Sequence, residues 1–359
     1  MIRIDEIYYN TFLPIIQRCN TCAMHWFDPF GSTKLKDMCS TPAINNLNND
    51  AVRYLFWDQE PLYKSALDQV LPVFSTTYDG QLHLITSEKD SDTVAWAAAT
   101  YNCKIHYYFF HGWAALDWYR GYNRSFRITP INQRQIKKTF IAPNRIIAGE
   151  RQHRLEMLYH IFKNNMTHNH ISCPDTCPAE NISIHDAVKS LTAKYPDIES
   201  VFAAQTLPIN FANETDHPMH SCWLSLFDES AESLLYLVTE TVATGRRHHL
   251  TEKTFKPIAL GMPFVIVGTR GSLEYLRSYG FRTFEDIWDE SYDLAEDNVR
   301  IERIAELLKS LDVLSTEAKQ DLFRTAQEVI EHNWNHFYNG GFEQILWTEL
   351  NEMLNAIEL

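Results

Sequence analysis

The run Leu250 to Gly268, LTEKTFKPIALGMPFVIVG, gathers more chemistry than any other stretch of this chain. It places Glu252 and Lys253 at the start of a short predicted helix, Thr254 to Leu260. Gly261 and Pro263 stop that helix, and Phe264 to Val267 reads as an apolar strand. A helix N-terminus carries unpaired N–H groups and a partial positive charge, so it favours anions. Lys253 adds a full charge there, and Glu252 can accept hydrogen bonds from sugar hydroxyls. The pair suits a nucleoside diphosphate with its ribose. A salt-bridged helix start before a core strand is the plainer alternative.

Other groups have ligand-like spacing. Cys19 and Cys22 form a CxxC, and His168, His170, Cys173 and Cys177 form HxHxxCxxxC, enough N and S donors for a zinc ion. The second spacing matches no standard finger, and with seven cysteines, an odd number, free thiols in a reducing compartment are the main expectation. Asp90-Ser91-Asp92 has the letters of a metal-binding DxD but sits in a polar loop. His111 to Tyr122, HGWAALDWYRGY, follows a strand and offers His111, Asp117 and Trp118 to a stacked sugar or base. Trp113, Leu116 and Tyr119 follow helical spacing, so a packed helix is the competing reading.

These residues need elements to hold them. Val52 to Trp57, Leu82 to Thr86 and Ile105 to Phe110 read as strands with helical stretches such as Leu62 to Leu71 between them, an α/β pattern. Composition turns polar and basic near residues 132–138, and a fresh strand opens at Thr139. Two domains are therefore expected, 1–135 and 136–359. The second holds a helix over 151–164, an irregular insertion over 165–182, a strand over Ser233 to Glu240 and a helical tail from about Thr316 to Leu354 that packs back across both domains. Open α/β sheets bind ligands beyond the carboxyl ends of their strands, where the 250–268 helix begins.

The net charge is −14, almost all of it beyond residue 135, which disfavours non-specific nucleic-acid binding. Arg120, Arg124, Arg127, Arg134, Lys137 and Lys138 form a local basic run that keeps a DNA acceptor open. No stretch of 18 apolar residues predicts a membrane span. The N-terminus MIRIDEIYYN lacks the apolar run of a signal peptide, and the expected location is cytoplasmic.

The order SLLYLVTET…LTEKTFKPIALGMPFVIVG resembles the donor-binding motif of the α-1,3-fucosyltransferases, inverting enzymes of the two-domain GT-B fold that use GDP-fucose. The resemblance implies two Rossmann-like domains facing a central cleft, with Glu240 in the strand-end acidic place and Thr251, Glu252 and Lys253 holding ribose and diphosphate. TFIAPNRIIAGERQHRLEML resembles the segment that opens the family's donor domain, so Asn144, Arg145, Arg151 and Arg154 are candidates near the phosphates. YLFWDQEP resembles the strand that ends in the family's catalytic base, with Glu60 at that position and Asp58 as the alternative. Glu240 is followed by Thr241 where the family usually has Asn, and Thr244 to His249 is basic where it is often acidic. FWDQEPLY, FHGWAALDWYRGY and FRTFEDIWDESYD are also similar to uncharacterised proteins of phages and large viruses.

On that reading Glu60 takes the acceptor proton, unless it only caps the turn before Pro61. Lys253 with one of Arg145, Arg151 or Arg154 neutralises the departing diphosphate, and Glu240 and Glu252 accept from sugar hydroxyls. No cofactor or metal is required, and a GDP-sugar is the expected donor. The acceptor is a glycan, another hydroxyl compound or a modified DNA base. A non-catalytic module that binds a sugar nucleotide or glycan is the competing function.

Overall fold

The computed structural model describes residues 3–12, 14, 22–26, 52–74, 82–211 and 223–358. It is a mixed α/β protein whose principal sheets are parallel. The chain divides into two compact units, with Met1–Asp117, Arg246–His249 and Phe342–Leu359 in unit 1, and Trp118–Gly245 with Leu250–Gly341 in unit 2.

Unit 1 carries a four-stranded parallel sheet in the order β1 (Cys22–Trp26), β2 (Val52–Trp57), β3 (Leu82–Thr86), β4 (Lys104–Tyr107). The register puts Trp57 opposite Thr86 and His83 opposite Lys104. Residues 53–57 of β2 and all of β3 are buried, as expected for a parallel sheet covered on both faces. Leu55 and Trp57 join Leu62, Leu67, Leu71, Leu84 and Ala97 in one core, built with helices α1 (Lys64–Phe74) and α2 (Asp92–Tyr101). Phe56 packs against Tyr8 and Phe12, with ring centroids 5.7 and 4.9 Å away. Helix α3 (Phe110–Tyr119) buries Trp113 against Trp347, centroids 4.7 Å apart, in the C-terminal helix. The strand expected to run through Phe110 stops at Tyr107, because Phe110 N turns back onto Tyr108 O at 2.8 Å as α3 begins.

Unit 2 has a second parallel sheet, β5 (Lys138–Ala142), β6 (His170–Ile171), β9 (Ser233–Thr239) and β10 (Phe264–Val267), in the spatial order β10-β9-β5-β6. A hairpin of β7 (Thr176–Cys177) and β8 (Ile182–Ser183) lies outside it. Helices α4 (Gln152–Lys163), α5 (Glu252–Leu260), α6 (Ser272–Ser278), α7 (Asp297–Asp312), α8 (Thr316–Thr325) and α9 (Gln327–Tyr338) follow. The last helix, α10 (Gly341–Glu358), belongs to unit 1 from Phe342 onward, whereas α8 and α9 belong to unit 2. All seven residues of β9 are buried, which marks it as a central strand. The insertion expected to be irregular supplies the edge strand β6, through the pairing of Ile141 with His170.

The 135/136 division read from composition falls inside unit 2. The basic stretch before it is sewn into that unit by Arg134, whose guanidinium donates to Thr129 O at 3.1 Å, Gly261 O at 2.8 Å and Leu260 O at 2.5 Å. These are the orphan carbonyls at the end of α5, where a cation also opposes the negative end of the helix dipole. Gly261 sits there with φ of 67°, the left-handed C′ position that glycine fills without strain.

Each unit holds a histidine neutral. Burial first, then His106 and Lys104, lowers the His83 pKa to about 4, and its Nδ1 lies 2.9 Å from His106 Nε2. Burial, then Lys194 and Lys163, lowers His160 to about 4. In the unfolded chain both titrate near 6.5. Their share of stability is therefore complete above that value and is lost as pH falls toward 4, each at less than about 1.4 kcal/mol per pH unit. Urea midpoints measured from pH 7.5 to 4.5 should fall less steeply for His83→Asn than for wild type. Parallel curves would remove His83 from this account.

Candidate functional site

The spatial order of the unit 2 sheet decides where a ligand can sit. The chain runs from β5 outward to β6, then returns to the other side of β5 for β9 and β10. Connections leave β5 and β9 in opposite directions, which makes their carboxyl ends the switch point at which open α/β sheets bind ligands. The residues that follow these strands are Asn144 and Arg145 after β5, and Glu240 and Thr241 after β9. The two strand ends are joined by Thr239 Oγ1 bonding Asn144 Oδ1 at 3.1 Å. Asn144 is buried, its N–H bonded to Ser172 Oγ at 2.8 Å and its amide nitrogen to Ala142 O at 3.1 Å.

Glu240 organises what lies above. It is fully buried at 0% exposure. Oε1 accepts from Thr251 N at 3.0 Å and Thr254 Oγ1 at 2.6 Å. Oε2 accepts from Thr241 N at 3.1 Å and Thr251 Oγ1 at 2.6 Å. Its carbonyl takes His153 Nε2 at 2.8 Å, Arg154 Nη2 at 3.0 Å and Arg154 Nε at 3.3 Å. Four donors fill the lone-pair sites of a carboxylate. Glu240 is thus filled by donors of its own chain and fixes the start of α5 to the end of β9. Arg154 is likewise occupied, 5% exposed and bonded also to Ile146 O at 2.9 Å, so it acts as a scaffold.

Thr251 is the N-cap of α5, its Oγ1 accepting from Lys253 N at 3.4 Å. Lys253 Nζ reaches Glu252 Oε1 at 2.9 Å, Thr251 Oγ1 at 3.2 Å and Thr241 Oγ1 at 3.3 Å, and the side chain keeps 31% exposure. Glu252 is 7% exposed. Arg145 and Arg151 are half-buried, Arg151 closing the turn that enters α4. The positive field is common to them. Burial first, then Arg151, pulls the Arg154 pKa down to about 10, while Glu240 and Glu252 oppose that fall. Burial first, then Arg154, Arg151 and Lys253, holds His153 down at about 3, as a neutral ring that donates from Nε2. So Lys253, Arg151, Arg154, Glu252 and Glu240 occupy one neighbourhood. Of the candidate phosphate ligands, Arg145, Arg151 and Lys253 keep exposure and Arg154 does not. His153 and Thr254 had not been picked out, and only their places, beside Arg154 and one turn from Thr251, could have signalled them.

In unit 1, β2 runs into Asp58-Gln59-Glu60. Asp58 is 0% exposed and accepts the Tyr8 hydroxyl, whereas Glu60 is half-buried. Between the two candidate bases, Glu60 is thus the one a ligand can touch. His111 is buried, with Nε2 donating to Gln59 O at 2.9 Å. Asp117 accepts Ile4 N at 3.0 Å, and Trp118 is half-buried at the start of unit 2. The packed-helix reading of 110–119 is the one the burial of Trp113, Leu116 and Tyr119 supports.

The metal-like spacings do not converge. His168 Nε2 meets Asp312 at 3.2 Å, His170 Nε2 meets Glu232 at 2.8 Å, and Cys177 Sγ donates to Glu180 Oε2 at 2.7 Å. Cys173 and Cys177 are free thiols, and among the described residues no three His, Cys, Asp or Glu side chains gather as a metal site. Cys19 lies outside the described residues.

Glu240→Gln tests the organising role. In either amide orientation the NH₂ meets a backbone N–H, of Thr241 or Thr251, that cannot turn away. The expected loss is about 2–4 kcal/mol in urea unfolding, with Thr254→Val costing about 1 kcal/mol. A Glu240→Gln protein as stable as wild type would show that the carboxylate does not hold this loop. Neither a family model nor a curated protein sequence matches this chain.

Proposed function

We propose that this protein is an inverting glycosyltransferase of the GT-B type, with a nucleoside diphosphate sugar bound beyond the carboxyl ends of β5 and β9. The observation that carries the reading is the switch point of the unit 2 sheet, with the capped start of α5, Lys253 and Arg151 in its neighbourhood. Helix N–H groups and two accessible cations suit the two phosphates of a departing diphosphate, and no metal is needed for that neutralisation. Glu252, close to Lys253, is the acceptor for a ribose or sugar hydroxyl. Thr241 and the basic residues 246–249 leave the base and sugar open, with a GDP-sugar, GDP-fucose first, as the donor to try.

Transfer with inversion needs a base that takes the proton of the attacking hydroxyl, and Glu60 is that base. Its exposure beside the buried Asp58 supports the choice. A glycan or small hydroxyl compound is the favoured acceptor. A modified DNA base has less support than the basic run promised. Arg134 is spent on helix carbonyls, Lys137 pairs with Glu232 at 3.0 Å and Lys138 donates to His168 O at 2.7 Å.

The test is thermal unfolding with GDP, UDP, ADP, CMP and their sugar conjugates, on wild type, Lys253→Ala and Glu60→Gln. A ligand at a hundred times its Kd adds about 2.7 kcal/mol. One diphosphate should stabilise wild type. Lys253→Ala should bind it at least about tenfold more weakly, a loss of about 1.4 kcal/mol. Glu60→Gln should bind the donor like wild type while losing at least about 100-fold in turnover. Full binding without turnover in wild type would favour the non-catalytic sugar-nucleotide module. No stabilisation by any nucleotide would sink the proposal.

A further inference from the structure

A general base works only if its carboxylate is held within a few tenths of an ångström of the proton it takes. The turn that bears Glu60, residues 58–62, has three of its carbonyls gripped by side chains from elsewhere in unit 1. Ser87 Oγ donates to Asp58 O at 2.5 Å, His111 Nε2 to Gln59 O at 2.9 Å and Arg247 Nη1 to Leu62 O at 3.0 Å. Glu88 Oε2 accepts the Leu62 N–H at 2.9 Å. Glu60, half-buried, lies inside this set of fixed points.

His111 grips the carbonyl next to Glu60. It sits in the first turn of α3 at 6% exposure, and its ring meets the edge of His249, centroids 5.3 Å apart at 88°, with His249 at 2% exposure. A carbonyl oxygen only accepts, so the proton is on Nε2. Ser87 and Arg247 hold other parts of the unit as well. Ser87 Oγ also bonds Tyr108 O at 2.8 Å, and Arg247 also bonds Glu88 at 3.3 Å and Thr93 at 3.2 Å.

We infer that His111 is a positioning residue, acting through the Gln59 carbonyl to hold the Glu60 carboxylate in place for the acceptor hydroxyl. The inference rests on Glu60 being the base of a glycosyl transfer. His249 backs the ring, so that it cannot turn from Gln59 without opening a space in a buried region.

The experiment compares wild type, His111→Leu and His111→Gln, whose amide nitrogen can replace Nε2. The donor is the nucleotide sugar that stabilises wild type in the thermal series. His111→Leu should lower kcat at least tenfold and leave the donor KM within twofold, and His111→Gln should recover kcat to within threefold of wild type. Hydrogen–deuterium exchange over residues 57–63 should quicken in His111→Leu and return to normal in His111→Gln, a readout that needs no substrate. Equal loss of kcat in both variants, unchanged exchange in both, or a raised KM with kcat intact would each overturn the inference. Should His111→Leu not fold, His111→Asn, whose amide stops short of Gln59 O, takes its place in the same comparison. Wild type that turns over no nucleotide sugar overturns the glycosyl-transfer reading, and with it the catalytic part of this inference. Active wild type with an active His111→Leu overturns this inference alone.

Discussion

One buried carboxylate governs the candidate site. Glu240 receives four hydrogen bonds on its side chain and three on its carbonyl, while its own N–H is spent on Val267 O at 3.0 Å. An unpaired carboxylate in that position would cost several kcal/mol. The carboxylate's donors and those of its carbonyl come from the segments around it. Thr251 and Thr254 bring the first turn of α5, Thr241 continues the strand, and His153 and Arg154 bring the face of α4. The geometry of the anion-favouring helix start follows from satisfying Glu240. The candidate cations that keep exposure, Lys253, Arg151 and Arg145, accompany a scaffold whose carboxylate is satisfied from within.

The same logic runs through the turn in unit 1. Asp58 is buried and capped by the Tyr8 hydroxyl, so the carboxylate of this turn that keeps exposure is the one two residues on. Neutral neighbours surround Asp58: burial and the Asp58 charge push the Tyr8 and Tyr108 hydroxyls well above their ordinary range, so both stay protonated. Glu88, raised by burial and held down by Arg247, closes the far side of the turn. In both units a fully buried acid arranges backbone, and a partly exposed group beside it is presented outward. The arrangement separates structural charge from available charge within a few residues of chain.

Much of this was legible in the sequence because apolar runs and stop signals are local. β2, β3, β5, β9 and β10 lie where VRYLFW, LHLIT, TFIAP, SLLYLVTE and FVIV predicted, with β5 and β9 each ending one residue earlier, and Gly261 ends α5 as its position implied. Residue type and motif order singled out Glu240, Thr251, Glu252, Lys253, Asn144, Arg145, Arg151 and Arg154 as one group, but not the division of labour inside it, because residue type does not reveal how many donors a carboxylate will meet once folded. Glu240 and Arg154 looked like ligand groups and are spent internally. The basic run suffered likewise, since Arg134 finds its acceptors at Leu260 and Gly261, more than a hundred residues downstream. The unit boundaries escaped the sequence for a related reason: residues 246–249 and 342 onward join unit 1 through distant pairings, such as Lys89 N with His248 O at 3.0 Å, that no local pattern encodes.

The two sheets also differ in a way that assigns them different work. In unit 1 the described strands follow one another in the order β1-β2-β3-β4, with no reversal among them, so the switch-point argument for a ligand crevice does not apply there. Its strand ends deliver a carboxylate-bearing turn held by Ser87, His111 and Arg247 instead. In unit 2 the return of the chain across β5 creates the reversal, and both strand ends that flank it carry the polar residues, Asn144 and Glu240. The proposed transfer, with its anionic leaving group and separate base, would draw on both kinds of edge. Only the anion calls for a topological switch point, and the chain has one in unit 2, with Lys253 and Arg151 near it.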